Sequence, residues 1–140
     1  MTTPIPVIFI HGLWLHSASW QSWVDLFLDE GYDPSAPGWP GDPDTVEEAR
    51  KNPESIADHG IDDVVEHYAA LIARLPARPI LVGHSFGGMI AQKLLRQDRA
   101  AAAVAIDAAQ IKDVLPLPLS ALKATLPVFR NRLTSTGRSP

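Results

Sequence analysis

Pro79-Ile80-Leu81-Val82 runs straight into Gly83-His84-Ser85-Phe86-Gly87, and apolar residues at helical spacing follow over residues 89–96. A short apolar run bounded by Pro and Gly predicts a strand buried on both faces, and strands of that kind belong to parallel sheets. A G-x-S-x-G pattern between a strand and a helix predicts a sharp turn with Ser85 at its apex. A side chain two residues before or after the serine would collide with closely packed backbone, which accounts for Gly83 and Gly87. Such a turn holds the hydroxyl out over the sheet edge, and the N-H groups and dipole of the helix that starts there favour negative charge beside it. A glycine-rich turn with an idle serine is the bland alternative.

The rest of the chain suits the same layering. Val7-Ile8-Phe9-Ile10, between Pro6 and Gly12, predicts another buried strand, and Ala103-Val104-Ala105-Ile106 a further one ending at Asp107. Trp20, Trp23, Val24, Phe27 and Leu28 recur at helical spacing, with Ser17 and Ser19 as N-cap candidates and Gly31 as the stop. Ile61, Val64, Val65, Tyr68, Leu71, Ile72 and Leu75 describe an amphipathic helix that Pro76 ends. Residues 32–52 are rich in Pro, Gly and Asp and predict a loop that begins with a short edge strand. A loop of that length inside a compact domain either lines a binding site or is a surface excursion, so Trp39 within it is a candidate cleft wall. Strand, helix, loop, helix, strand, helix, strand is the order of an α/β fold, a parallel sheet with helices on both faces. Residues 1–140 form one domain on this basis, with a core over 5–110, the start of a cap or lid over 111–129 and a disordered polar tail over 130–140.

At 140 residues, 46% apolar and 20% charged, the chain has the length of a single soluble globular domain. A domain of that size buries about two-thirds of the surface its unfolded form exposes, without help from a disulfide or metal. The absence of cysteine excludes disulfides, thiolate zinc sites and a Cys nucleophile, and it fits a reducing, cytoplasmic setting. Lys and Arg number 12 against 16 Asp and Glu, a formal charge of −4, and the basic residues are scattered, which argues against nucleic acid as a partner. The first residues carry no basic segment, and the apolar run after Pro6 stops at His11-Gly12, well short of the roughly 20 residues that span a bilayer. Neither a signal peptide nor a membrane span is expected. Gly83, Gly87 and Gly88 fit neither G-x-G-x-x-G nor a Walker loop, and no H-E-x-x-H occurs, so neither a nucleotide cofactor nor a metal is expected.

His11-Gly12-Leu13-Trp14 closes its strand and so emerges at the same carboxyl edge as Ser85, where open α/β sheets bind ligands. A tetrahedral oxyanion needs a pair of N-H donors, and those of Leu13 and Phe86 are suitably placed. With His11-Gly12-Leu13, the Gly83-His84-Ser85-Phe86-Gly87 turn and a strand ending at Asp107 before a cap-like segment, residues 5–129 resemble the first part of an α/β-hydrolase of the cofactor-free, esterase and lipase-like kind. The resemblance implies Ser85 as a nucleophile that forms an acyl-enzyme with a small ester-like or other acyl substrate. It makes Asp107 a candidate acid, because some relatives take theirs from the end of this strand; a strand-exit cap is the competing role. His11, Gly12, Trp14, Trp39 and His84 are expected around the substrate, and the apolar segment over residues 114–129 favours a small, apolar one. The family also hosts hydroxynitrile cleavage and peroxyacid formation, so the resemblance points to a site more than to a reaction.

One element of the family pattern is missing. Its triad runs Ser, acid, His in chain order. Here the 5 histidines are His11, His16, His59, His67 and His84, and all precede Ser85. His84 adjoins the serine, but neighbours on a sharp turn point apart, and His67 is expected on the solvent side of its helix. A serine hydroxyl without a base is a weak nucleophile, so the chain by itself is expected to be impaired or inactive. A truncated or frame-shifted hydrolase, whose likeness to the family stops where basic, aperiodic residues begin at Arg130, accounts for that. A catalytically dead fold that binds a small molecule or a partner through the open cleft is the alternative. A half-domain whose unfinished sheet edge self-associates, or is completed by another chain, is a further one.

Overall fold

The computed structural model describes residues 2–13, 15–51 and 60–109, all within the compact unit Met1–Gln110. The expected cap over 111–129 and tail over 130–140 lie outside the described residues, as do Trp14 and His59. Strands β1 (Pro6–Ile10), β2 (Asp33–Ser35), β3 (Ile80–His84) and β4 (Ala102–Ile106) form a 4-stranded sheet in the order β2-β1-β3-β4. Every pairing is parallel, with Val7 opposite Ile80 and His84 opposite Ile106. The expected α/β architecture is the observed one.

Helices cover the sheet on both sides. A 3-10 turn over Ser17–Trp20 leads into α1 (Gln21–Asp29), which ends where Gly31 takes φ +87° and Tyr32 N-H bonds back to the Phe27 carbonyl at 3.0 Å. On that side Val7, Phe9, Trp20 and Val82 are buried together, and the Phe27 ring meets Phe9 edge-on at 5.2 Å. The opposite face is the larger core, where Ile8, Ile10 and Leu81 meet Val64, Val65, Tyr68 and Ile72 of α3 (Ile61–Ile72) and Ile90 and Leu94 of α4 (Phe86–Arg96). Asp63 accepts the Gly60 N-H at 3.1 Å and, with Asp62, sets negative charge at the start of α3. That helix is shorter than its periodicity predicts, because tight turns closing Arg74 onto Leu71 and Leu75 onto Ile72 replace its last turn before Pro76.

Within residues 32–52 the expected edge strand is β2, and a short helix, α2 (Val46–Lys51), stands where only loop was expected. From β1 the chain crosses to β2, then returns past β1 to lay β3 on its other side. This reversal opens a crevice at the carboxyl ends of β1 and β3, the place where α/β sheets take ligands. The strands differ in burial: every residue of β1 is buried, whereas Val104 at the centre of β4 is 50% exposed.

Candidate active site

Ser85 stands between β3 and α4 with φ +56° and ψ −120°. A non-glycine residue there stores about 1–3 kcal/mol of backbone strain, and it persists only where the surroundings over-determine it. They do so here. The Ser85 N-H donates to the Ile106 carbonyl at 3.0 Å, and the Ser85 carbonyl accepts from Gly88 at 3.0 Å, Met89 at 3.3 Å and Ala109 at 3.0 Å. A Cβ on Gly83 would overlap the Gly87 carbonyl, and one on Gly87 would overlap the Ile10 carbonyl. Glycine at these positions lets α4 press its first turn onto the ends of β3 and β1 together.

The β1 exit meets this turn. An added Cβ on Gly12 would come within 3.0 Å of Ser85 Cβ and 3.1 Å of the His84 carbonyl, so the His11-Gly12-Leu13 segment packs directly on the serine. Phe86, as the first residue of α4, has no carbonyl one turn back within the helix to take its N-H. The Gly12 carbonyl, by contrast, is occupied by the Leu15 N-H at 3.2 Å and by His11 Nδ1 at 2.8 Å.

His11 and Trp39, expected at the substrate, are instead buried, His11 1% and Trp39 5% exposed. Their rings stack at 5.5 Å and 17°, and Trp39 Nε1-H donates to the His11 carbonyl at 3.1 Å. Asp42, which sequence reasoning missed, takes His11 Nε2 on Oδ2 at 2.6 Å and the Trp39 backbone N-H on the same oxygen at 2.8 Å. Both side chains are thus held in the interior directly behind Gly12. Among the described residues, Asp42 Oδ1 is buried without a hydrogen-bond partner.

The segment after β2 is held down, not a loose excursion. Tyr68 Oη-H donates to the Pro37 carbonyl at 2.8 Å, and His67 Nε2 to the Gly38 carbonyl at 3.1 Å, so His67 faces this segment rather than solvent. Burial first, and the Asp42 carboxylate second, push the Tyr68 hydroxyl well above the usual tyrosine range. His16 Nδ1 accepts from the Ala18 N-H at 3.1 Å, so its proton sits on Nε2, which donates to the Pro43 carbonyl at 2.9 Å.

Asp107 follows β4 with φ +43° and is exposed. It lies on the strand end next to Ser85, and no described histidine is bonded to it. His84 is half-buried on the α1 side of the sheet, where it lines an open, mostly apolar hollow of about 260 Å³ with Leu15, Ser19, Trp20, Trp23 and Ile106. Trp20 and Trp23 read in the sequence as positions on the buried face of one helix, and only the fold shows that they also border this hollow. Among the described residues, no group of His, Asp and Glu could hold a metal, and no helix is long and apolar enough to cross a membrane. Chemically, the arrangement offers a strained, half-buried hydroxyl beside backbone donors.

The alpha/beta hydrolase family profile matches residues 7–139, past Arg130, where the likeness was expected to stop. No curated protein matches the chain. Among solved structures, epoxide hydrolase VrEH1 from Vigna radiata is similar, with 27% identity and a TM-score of 0.65 over 87% of this chain and 39% of its own. The Paleococcus ferrophilus monoacylglycerol lipase has 25% identity and a TM-score of 0.61 over 89% of this chain and 48% of its own. An extracellular α/β-hydrolase from a Paenibacillus species, 22% identical with a TM-score of 0.64, covers 89% of this chain and 50% of its own, and speaks to the fold alone. The chain therefore spans half or less of the length of these structures. With its profile match, parallel sheet and strained strand-to-helix serine, the chain belongs to the α/β-hydrolase family.

Proposed function

We propose that the site performs acyl transfer from a small ester-like substrate to water, with Ser85 as nucleophile. The observation that carries this is the Ser85 backbone, strained at φ +56° and packed against Gly12 at the crevice between β1 and β3. Strain of this kind is retained where a side chain must be held out over a sheet edge. Ser85 Oγ attacks the carbonyl carbon and gives up its proton to solvent water, since no described imidazole is bonded to it. The oxyanion takes the N-H groups of Leu13 and Phe86, and the alkoxide leaves with a proton, so that water can release the acyl group. The apolar hollow beside His84 suits a small apolar acyl or alcohol group, and a cytoplasmic setting suits a chain without cysteine.

Hydrogen bonds engage His11, His16 and His67, and no histidine follows Ser85 in the sequence. Turnover by this chain on its own is accordingly slow, and Asp107 is an acid without a described imidazole to orient. That commitment of the histidines also favours a second reading, in which the open cleft binds a small molecule or partner without turning it over. Mixing the chain with small p-nitrophenyl esters and following the intact mass tests both. Acyl transfer predicts one acyl adduct per chain that Ser85→Ala abolishes. Saturable ester binding with no adduct selects the binding module.

A further inference from the structure

Asp42 lies 31 residues from His11 in sequence, yet its carboxylate is the partner of a histidine immersed at the end of β1. Its side chain is only 4% exposed. Burying a carboxylate costs several kcal/mol unless it is paired and hydrogen-bonded, and here one oxygen carries both bonds while Oδ1 has none among the described residues. A group kept under those terms needs a purpose other than stability.

The geometry assigns one. A carbonyl oxygen only accepts, so His11 Nδ1 must carry the proton in its 2.8 Å contact with the Gly12 carbonyl, and the proton shared by Nε2 and Asp42 Oδ2 lies on the ring's other side. The Gly12 carbonyl and the Leu13 N-H belong to one peptide plane and point in opposite directions. Fixing that carbonyl therefore fixes the Leu13 N-H. The same peptide leaves Gly12, whose α-carbon packs on Ser85 Cβ. We infer that Asp42 is a positioning residue of the oxyanion hole: acting through the His11 ring, it sets the plane of the Gly12-Leu13 peptide and so presents the Leu13 N-H beside Ser85. Trp39 serves the same end, stacking on the ring and placing its backbone N-H on the oxygen that holds it. The charge on Asp42 is the part that matters, because the ring must keep a proton on Nδ1 while Nε2 faces an acceptor that also takes the Trp39 N-H.

This inference rests on the proposed acyl-transfer site, and its test separates the two. Asp42→Asn keeps the shape and an acceptor for Trp39 but removes the charge. In the full chain, the maximal rate of fluorophosphonate labelling at Ser85 is expected to fall about tenfold, less than the loss of a whole oxyanion donor. The half-saturating probe concentration and the near-UV circular dichroism are expected to stay unchanged. The Leu13 amide resonance should shift while that of Leu94, deep in α4, stays in place. An unchanged rate in the folded variant, or an unmoved Leu13 amide, overturns the inference. If the unaltered chain takes no label at Ser85, the acyl-transfer reading fails, and the Leu13 amide alone then decides the positioning role. If Asp42→Asn does not fold, the unaltered chain still decides: a slowly exchanging His11 Nδ1 proton supports the bracket, and a rapidly exchanging one overturns it.

Discussion

The ends of β1 and β4 flank the turn at Ser85 and are built in opposite ways. At the end of β1 both ring nitrogens and the carbonyl of His11 are engaged, Trp39 is stacked on its ring, and Gly12 is wedged against the serine. At β4 the central Val104 is half-exposed, and Asp107 sits in a left-handed conformation facing solvent. The contrast separates two jobs that a hydrolytic site must do. Holding the proposed nucleophile and oxyanion donors requires rigid backbone, and the described residues around β1 and β3 supply it. Moving a proton requires an imidazole with a free nitrogen beside an acid, and among the described residues the β4 end contributes the Asp107 carboxylate.

The largest effect that would break this contrast lies at the rigid end. Gly87→Ala pushes a methyl group into the Ile10 carbonyl, backbone that cannot move aside. It should destabilise the fold by more than about 4 kcal/mol, seen as loss of a cooperative urea transition, since overpacking against backbone belongs to the most damaging class of substitutions. A variant with a normal transition would mean that α4 and β1 are not locked together.

Tyr68 sharpens the same point from the other side of the bracket. Because burial raises the pKa of its hydroxyl in the folded state, the unfolded chain ionises first as pH climbs past the ordinary tyrosine value of about 10. Below that value the stability is fully present, and above it the fold should lose roughly a kcal/mol per pH unit. Tyr68→Phe should remove that alkaline slope and cost about 1–2 kcal/mol at neutral pH through the orphaned Pro37 carbonyl. Urea midpoints at several pH values check both.

Ser85→Gly should raise stability by about 1 kcal/mol while abolishing reaction at the site, because glycine adopts φ +56° without strain. Ser85→Ala keeps the Cβ and should leave the melting midpoint unchanged. Equal midpoints for the two variants would remove the strain argument. The smallest effect belongs to the loose end: Val104→Ser should alter stability by less than about 0.5 kcal/mol. If copies of the chain associate through β4, it should also lower the mass measured by light scattering. An unchanged mass sets self-association through β4 aside.

What was legible in the sequence follows the same division. β1, β3 and the turn at Ser85 announce themselves because short apolar runs, paired glycines and a helical period all lie within a few residues of one another. The bracket behind them was hidden, since Asp42 reads as one more loop carboxylate and only folding brings it to His11. Trp39 reads as a candidate cleft wall because it lies in a long Pro-rich loop, and only the fold shows its ring stacked on buried His11. Four of the six residues of α2 are charged and the helix is too short to carry an apolar stripe, so nothing local distinguishes it from the loop around it.

The central claim is that Ser85 is held ready as a nucleophile by the fold. Its most direct test is intact-mass detection of fluorophosphonate labelling on the purified chain, beside heat-denatured and Ser85→Ala samples. The account predicts a single slow adduct on the native chain that is lost in both controls. No adduct on a chain whose circular dichroism shows it folded, or an adduct that survives Ser85→Ala, would contradict it.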